Sequence, residues 1–269
     1  ASLWNAAGCE VTLLIRKDRV LSTWERRASM TLTRELKRRG VNVIARTAVD
    51  RVDTGANLGA TVHYRQGDSD EDRTAYGEVV LAAIGRVPNT DADWFRSSGL
   101  KLDERGYVTV DGYGRTNLDG VWALGDITPG HALAHRAFEQ GITIAEKIAG
   151  ADPKPVLDDT VPQVVFSFPE AASVGLTLDQ AKAREDVVEP KETAYPMLSN
   201  ARMLMSGEGG SMTVVSGAFA NNPDMQVVLG VHIVSPIASD LIAEAEQLVG
   251  NRVPLADAAR LIHPHPTFS

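Results

Sequence analysis

The chain has 269 residues, 43% of them hydrophobic and 23% charged, a composition typical of globular proteins. Its formal net charge of −8 argues against nucleic acid or an anionic membrane surface as a partner. No apolar run reaches the roughly 18 residues of a membrane span, and no signal peptide opens the chain. The length suits one large domain or two to three modest ones.

The two ends of the sequence and its cysteine content bear on context. Cys9 is the single cysteine, so no internal disulfide is possible, which favours a reducing compartment and predicts a cytoplasmic location. The chain opens at Ala1 inside a predicted helix that Gly8 ends, and it stops at Ser269 in a polar turn. We therefore expect the sequence to be an excerpt from a longer protein.

The first part of the chain predicts strands around one helix. Residues 25–39 carry a helical stripe of Ala28, Met30, Leu32 and Leu36, which Gly40 ends. Strands are predicted at residues 10–15, 41–45, 48–52, 60–64 and 79–84, with a polar hairpin loop at 67–73. The order β-α-β followed by an antiparallel meander predicts the back half of a Rossmann-like domain.

The central motif is residues 116–126, which read T-N-L-D-G-V-W-A-L-G-D. The apolar run 121–124 predicts a buried strand, Gly125 permits close approach of the backbone, and Asp126 offers a carboxylate at the strand's end. Residues 133–149 have helical spacing, and a helix N-terminus favours anionic or electron-rich groups. The residues alone also allow Asp126 to be a turn residue or a helix cap.

After a proline-containing linker at residues 153–159, a separate α+β unit is predicted. Its predicted strands are 164–168, 213–215 and 226–234, and its predicted loops are 207–210 and 217–224. A short helix is predicted at 178–184. Residues 237–249 place six apolar side chains on one helical face, and Pro254 begins a second predicted helix at 255–262.

The last residues, 263–269, read H-P-H-P-T-F-S. Two prolines prevent continuation of the helix and hold the chain extended, which suits presentation of an imidazole. Histidine titrates near neutral pH and can move a proton. A solvated structural turn stays open from the residues alone. No metal is expected, because neither cysteine nor an acidic cluster lies nearby.

Several motifs together resemble the class I pyridine nucleotide-disulfide oxidoreductases, and among them the dihydrolipoamide dehydrogenases. Residues 116–126 are similar to the family's second FAD fingerprint. Residues 81–89 (L-A-A-I-G-R-V-P-N) resemble the junction between the NAD(P)H and FAD domains, and residues 132–135 (A-L-A-H) are similar to a flavin-contacting segment. The later part resembles the interface domain through V-P-x-V-V-F-x-x-P-E, S-V-G-L-T, L-G-V-H-I-V and P-I-A-S-D-L-I.

The resemblance implies an α/β fold in three parts. Residues 1–84 are expected to be the C-terminal part of an NAD(P)H-binding domain. Residues 85–157 are expected to be the returning segment of an FAD-binding domain, and residues 158–269 an α+β interface domain that makes a homodimer. The implied cofactors are FAD and NADPH or NADH.

The resemblance also implies site residues. Asp126 is expected to bind the flavin ribityl chain, and the helix N-terminus is expected to point at the pyrimidine side of the isoalloxazine. The residues expected to contact flavin are Gly125, Asp126, Leu133 and Ala134. The Gly85 backbone is expected near the nicotinamide nucleotide. His135 is interpreted as structural rather than as an acid-base residue.

Alignment with the family's H-P-T-x-S-E motif implies that His265 is the acid-base catalyst of a dithiol–disulfide reaction. His263 lies outside that motif, and the family's glutamate partner would come after Ser269. The implied reaction passes hydride between NAD(P)H and a small-molecule disulfide or dithiol. Two alternatives stay open: a flavin-dependent quinone reductase on the same scaffold, and a dimerisation or binding fragment without turnover.

The nucleotide preference is predicted from the end of the first strand. In Rossmann domains an acid ending the second strand selects NAD, whereas nearby arginine accommodates the 2′-phosphate of NADP. Ile15 occupies the acidic position, and Arg16, Lys17 and Arg19 follow. The pattern predicts NADPH, and a solvated basic turn is the alternative.

Overall fold

The structure, a computed structural model, describes residues 1–55 and 59–269 as a mixed α/β protein. The helices in these ranges are α1 (Ser2–Ala6), α2 (Arg26–Arg38), α3 (Asp93–Ser97), α4 (Ala134–Ile148), α5 (Leu178–Ala183), α6 (Ala201–Ser206), α7 (Ala238–Gly250) and α8 (Leu255–Ala258). The strands are β1 (Thr12–Ile15), β2 (Asn42–Ala45), β3 (Thr47–Thr54), β4 (Ala60–Gln66), β5 (Arg73–Gly77), β6 (Gln163–Val165), β7 (Glu170–Gly175), β8 (Val187–Pro196), β9 (Ser211–Phe219) and β10 (Asn222–Ser235). The chain forms two compact units, residues 1–82 with 162–269, and residues 83–161.

The first unit begins with the predicted β-α-β arrangement. β1 and β2 pair in parallel, and α2 connects them. The Glu25 carboxylate caps α2 by accepting hydrogen bonds from the Arg27 and Ala28 amides at 2.6 and 2.7 Å. Residues Ala28, Leu32 and Leu36 are buried at a spacing of four. Including Met30 in this stripe is wrong, because its position falls on the exposed face.

The predicted meander is also present, as a sheet in the order β3-β4-β5 with antiparallel pairing. Its third strand is β5, however, and the strand predicted at residues 79–84 is wrong. Leu81 is 68% exposed and Ile84 92% exposed. No strand in the part of the chain that the structure describes pairs with this segment, and an apolar run without a hydrogen-bonding neighbour has no ladder to join.

A five-stranded antiparallel sheet in the order β6-β7-β10-β9-β8 dominates the rest of this unit. Helix α7 packs on β7 and β10 and confirms the helix predicted at 237–249. Ile242, Ala245 and Val249 are buried in a shared core with Val231 and Ile233 of β10. The predicted short helix is also confirmed as α5, which a reciprocal capping box between Thr177 and Gln180 begins.

Two predictions for this sheet region are wrong or incomplete, and two of its strands were not predicted. Residues 217–224 are not a loop, because β9 runs to Phe219 and pairs with Asn222 at the start of β10. The helix predicted at 255–262 is only the single-turn α8, since Leu261 and Ile262 have no core to face. Strands β7 and β8 were not predicted from the sequence, although β7 lies inside the sheet and β8 forms its edge.

A buried histidine lies in the middle of this sheet. His232 is 1% exposed, with Nδ1 2.7 Å from Ser173 Oγ and Nε2 3.2 Å from the Leu176 carbonyl oxygen. A carbonyl can only accept, so Nε2 carries the proton and Nδ1 accepts from the serine hydroxyl. Burial lowers the pKa of His232 below its usual value of 6.5, and the Leu176 carbonyl only partly opposes this.

The lowered pKa predicts pH-dependent stability. Unfolded His232 binds a proton more readily than folded His232. Its contribution to the free energy of unfolding is therefore fully present above the unfolded pKa, and it is lost as the pH falls below about 6.5 towards the folded pKa. Urea unfolding between about pH 8 and pH 5 should show this loss. The His232→Gln variant should have a flatter dependence of unfolding free energy on pH, and an unchanged slope would contradict the assignment.

The second unit, residues 83–161, holds the central motif and its helix. Phe95, Val108 and Ala123 form a small core here. Residues 133–149 form α4 as predicted. The strand predicted at 121–124 is wrong, because Trp122 makes only an isolated bridge to Arg115 instead of a continuous ladder. The segment runs extended into a single 3-10 turn, Gly125–Ile127.

Candidate functional site

Three hydrogen bonds, which involve Gln140 and Thr128, hold the Gly125–Asp126 turn in place. Gly125 has a φ of 73°, in the region that favours glycine, and it is buried. Its amide donates to Gln140 Oε1 at 2.9 Å. Its carbonyl accepts from the Thr128 hydroxyl and amide at 2.8 and 3.0 Å. Asp126 is exposed on this clamped turn. The geometry therefore presents a carboxylate acceptor from a rigid support.

Helix α4 begins shortly after the turn, with Leu133 as its extended N-cap residue. The Leu133 side chain makes no capping hydrogen bond, and the backbone amides of the first turn begin at Ala134. Gly125, Asp126, Leu133 and Ala134 are thus parts of one turn-loop-helix unit. A helix N-terminus and a carboxylate on the same unit can hold a polar ligand that offers both donors and acceptors.

Arg136 holds the loop between Asp126 and α4. It is 6% exposed, and its Nε donates to Asp158 Oδ1 at 2.7 Å while Nη2 donates to the Pro129 carbonyl at 2.6 Å. A Cβ atom at Gly130 would lie 2.3 Å from Arg136 Nη2, so glycine is needed there. The sequence reading missed Arg136, Gln140 and Asp158, since their partners are not apparent from local sequence.

A cavity of about 320 Å³ lies beside α4 in the same unit. Arg136, Gln140 and Thr143 contribute to its wall, together with residues 110–114 and 156–158. None of the four residues predicted to contact flavin lines it. The cavity is therefore a separate feature from the exposed Asp126 carboxylate.

The basic residues predicted for the nucleotide follow β1 directly. Arg16 and Lys17 are exposed. Arg19 differs, because its Nη1 contacts both carboxylate oxygens of Asp18 at 2.9 Å and its Nη2 donates to the Ser22 carbonyl at 3.3 Å. Arg19 is thus partly engaged within its own loop, whereas the Arg16 guanidinium is open to solvent. Gly85, in the second unit, has a φ of 134° and is exposed.

The residues after α8 form an anchored turn. The Thr267 hydroxyl donates to the Pro264 carbonyl at 2.7 Å, and Asn200 Nδ2 donates to the Thr267 carbonyl at 3.0 Å. Phe268 packs against the core that α7 shares with the sheet. His265 is exposed between these anchors, and its bond to Pro266 is cis. The turn can present the His265 imidazole to a reacting group.

Sequence reasoning left one contact of this turn unanticipated. His263 Nε2 lies 2.7 Å from Glu244 Oε1 of α7. Both side chains are partly exposed.

Within residues 1–55 and 59–269, no group of three or more His, Cys, Asp or Glu side chains is arranged to hold a metal ion. The helices in those ranges are also too short or too polar to cross a bilayer.

Comparisons with known proteins place the chain in a family. Residues 1–141 match the family model described as pyridine nucleotide-disulphide oxidoreductase, and residues 161–269 match the dimerisation domain of the same family. The chain is 36% identical over 270 residues to a dihydrolipoyl dehydrogenase of Cupriavidus necator, covering 100% of this chain and 55% of that protein. It is also 36% identical over 267 residues to the Geobacillus stearothermophilus enzyme of that name, covering 97% of this chain and 53% of the relative.

Solved structures agree on the fold. LpdA from Mycobacterium tuberculosis superimposes with a TM-score of 0.86 at 29% identity, covering 100% of this chain and 56% of that one. The flavoprotein disulfide reductase RclA from Escherichia coli has a TM-score of 0.83 at 22% identity, over 99% of this chain and 58% of its own. The predicted fold class, with partial NAD(P)H and FAD domains followed by an α+β interface domain, is confirmed.

The matches cover nearly all of this chain but only part of each relative. The chain spans about half the length of the relatives it matches, whereas almost all of the chain is covered. Two models of the same family, the second of them for its dimerisation domain, match in sequence order. The chain belongs to the pyridine nucleotide-disulphide oxidoreductase family.

Proposed function

We propose that the chain is the carboxyl-terminal part of an FAD-dependent NAD(P)H:disulfide oxidoreductase of the dihydrolipoamide dehydrogenase type. The observation that carries this proposal is the exposed His265 imidazole on a turn anchored by Asn200 and Phe268. The relatives named dihydrolipoyl dehydrogenase support it. The part of such a protein outside this chain would supply the redox dithiol and the remaining flavin contacts.

The Gly125–Asp126 turn and the start of α4 would hold the flavin. Asp126 would accept a hydrogen bond from a ribityl hydroxyl, and the N-terminus of α4 would face the electron-rich pyrimidine edge. Support comes from the rigidity of the turn, whose glycine is held by Gln140 and Thr128. Gly125 is suited to this place because a side chain would be strained at its φ and would crowd Ala137 at 3.3 Å.

His265 would act as the acid-base residue of the dithiol half of the reaction. Bound FAD would supply the hydride relay between the nicotinamide and a redox disulfide. A dithiol attacks or reduces only after losing a proton, and an imidazole within hydrogen-bonding reach can take that proton and return it. An exposed position on an ordered turn suits this role, since the imidazole must meet a group supplied from outside its own turn.

The nucleotide is proposed to be NADPH. Arg16 and Lys17 stand exposed at the carboxyl end of β1, where relatives that select NAD would require an acid. A guanidinium can grip a 2′-phosphate with two parallel hydrogen bonds. Arg19 would contribute mainly charge, since its donors already contact Asp18 and Ser22. Gly85 would approach the nicotinamide nucleotide through its backbone.

Residues 158–269 are proposed to form the homodimer, with residues 1–84 and 85–157 as the nucleotide and flavin segments. Large apolar side chains stand exposed in the matched dimerisation domain, where a second copy could cover them: Phe166, Leu204, Met205 and Ile262. A symmetric dimer would bring the His265 turn of one subunit to the flavin of the other. A cytoplasmic location remains a prediction.

The test is steady-state turnover of the flavin-loaded protein over its complete length, with lipoamide or a quinone as acceptor. We expect lipoamide reduction, with kcat/KM for NADPH well above that for NADH. The Arg16→Ala variant should lose mainly the NADPH preference, and Arg34→Ala, an exposed arginine on α2, is the matched control. Faster turnover with quinone than with lipoamide would favour the quinone reductase alternative. A clear NADH preference would refute the role of Arg16. No turnover with either acceptor would favour a non-catalytic binding protein.

A further inference from the structure

The turn that carries His265 needs support on both sides. After His265, Asn200 Nδ2 donates to the Thr267 carbonyl and Phe268 packs against the core. Before His265 there is little packing, because Leu261 is 48% exposed and Ile262 97% exposed. A side-chain contact on that side is therefore needed if the imidazole is to occupy one position.

The contact between His263 and Glu244 supplies this support. Nε2 of His263 is 2.7 Å from Oε1 of Glu244, a short charge-assisted distance. An ionised carboxylate can only accept, so Nε2 carries the proton. The backbone at Glu244 is held in place, since its neighbours on α7, Ile242 and Ala245, are buried in the core. The contact thus ties the start of the turn to a rigid helix.

We propose that His263 and Glu244 form a positioning pair for His265, an inference that rests on the proposed function. Only Pro264 separates the two histidines, and its ring restricts the backbone between them. A displacement of the His263 imidazole is therefore transmitted to His265 instead of being absorbed by the linker. The Pro264 carbonyl also accepts a hydrogen bond from the Thr267 hydroxyl, which joins the two ends of the turn.

Positioning matters because proton transfer requires the base to lie within hydrogen-bonding distance of the dithiol. A misplacement of about 1 Å can cost about 10²-fold in rate. His263→Ala and Glu244→Ala are each expected to lower kcat of the dithiol half-reaction by about tenfold to hundredfold. The KM for lipoamide and the rate of flavin reduction by NADPH should change little, since neither depends on proton transfer at His265.

The experiment measures both half-reactions in the flavin-loaded protein over its complete length. The variants are His263→Ala, Glu244→Ala, their double variant and Glu244→Gln, which keeps an acceptor oxygen. The double variant should be no slower than either single variant, because each single substitution already removes the same contact between His263 and Glu244. Glu244→Gln should retain most of the activity. Glu246→Ala, a loss of the same residue type two positions along α7, is the matched control.

His265→Ala separates this inference from the proposed function. In that background, adding His263→Ala should cause no further loss, because the pair acts through His265. If His265→Ala alone leaves dithiol turnover intact, the proposed function fails. If His265→Ala slows turnover but His263→Ala resembles Glu246→Ala, or slows the His265→Ala protein further, or if Glu244→Gln is as slow as Glu244→Ala, the positioning role is overturned.

Discussion

Replacing His265 with alanine is expected to slow the dithiol–disulfide half-reaction by about 10²–10⁴-fold, the usual contribution of general acid-base catalysis. The physical reason is that the thiol then has no positioned group to take its proton. Flavin reduction by NADPH requires no such transfer and should keep its rate. Stopped-flow measurement of each half-reaction, in the protein over its complete length, separates the two effects.

The fold should survive this change, because His265 is exposed and the anchors of its turn lie at Asn200 and Phe268. His63→Ala removes another imidazole, on β4 of the meander, and serves as the control. Equal losses in both half-reactions would refute the acid-base role and indicate general damage to the protein.

Replacing Asp126 with alanine is expected to weaken FAD binding by about tenfold to hundredfold, the cost of losing one hydrogen bond to a charged group. The turn itself should persist, since Gln140 and Thr128 hold Gly125 and do not involve the Asp126 side chain. Flavin absorbance per protein after dialysis measures retention, and thermal unfolding with added FAD measures the loss of ligand stabilisation.

Two further variants sharpen the result for Asp126. Asp126→Asn keeps an acceptor oxygen and should fall between the wild type and the alanine variant. Asp119→Ala removes another exposed carboxylate of the same motif and should retain flavin fully. A fully flavinated Asp126→Ala protein with unchanged stability would leave Asp126 as an ordinary turn residue.

Helices were predictable from the sequence where a local pattern decides them. Leu32 and Leu36 on α2, and Ile242 and Val249 on α7, repeat at helical spacing and are buried as a face. The capping box that begins α5 likewise lies within four consecutive residues, Thr177 to Gln180. In these elements the hydrogen bonds close within the segment, so local sequence is sufficient.

Strands were less predictable because their hydrogen bonds close with another segment. The apolar runs at 79–84 and 121–124 have the composition of strands but no continuous ladder in the described structure. Conversely, β8 contains Pro190 and several charged residues, yet it pairs with β9 along the edge of the sheet. Pairing across long sequence separations decided these cases, and composition could not.

The candidate site divides in the same way. Asp126 and His265 could be identified because they lie in short motifs. Their supports could not, since Gln140 is fifteen residues from Gly125 and Glu244 is nineteen residues from His263. Arg19 shows the converse limit: its side chain suits phosphate chemistry, but the structure pairs it with the adjacent Asp18.

The packing of α2 has a consequence for how the protein unfolds. Leu32 and Leu36 share a core with Ala171 and Val234 of the five-stranded sheet, and Thr31 contacts Ser211 of that sheet at 3.2 Å. Two segments that are far apart in sequence therefore melt as one cooperative body. A cavity made at Leu32 would accelerate hydrogen exchange in β10 as well as in α2, so a change in α2 would also loosen the five-stranded sheet.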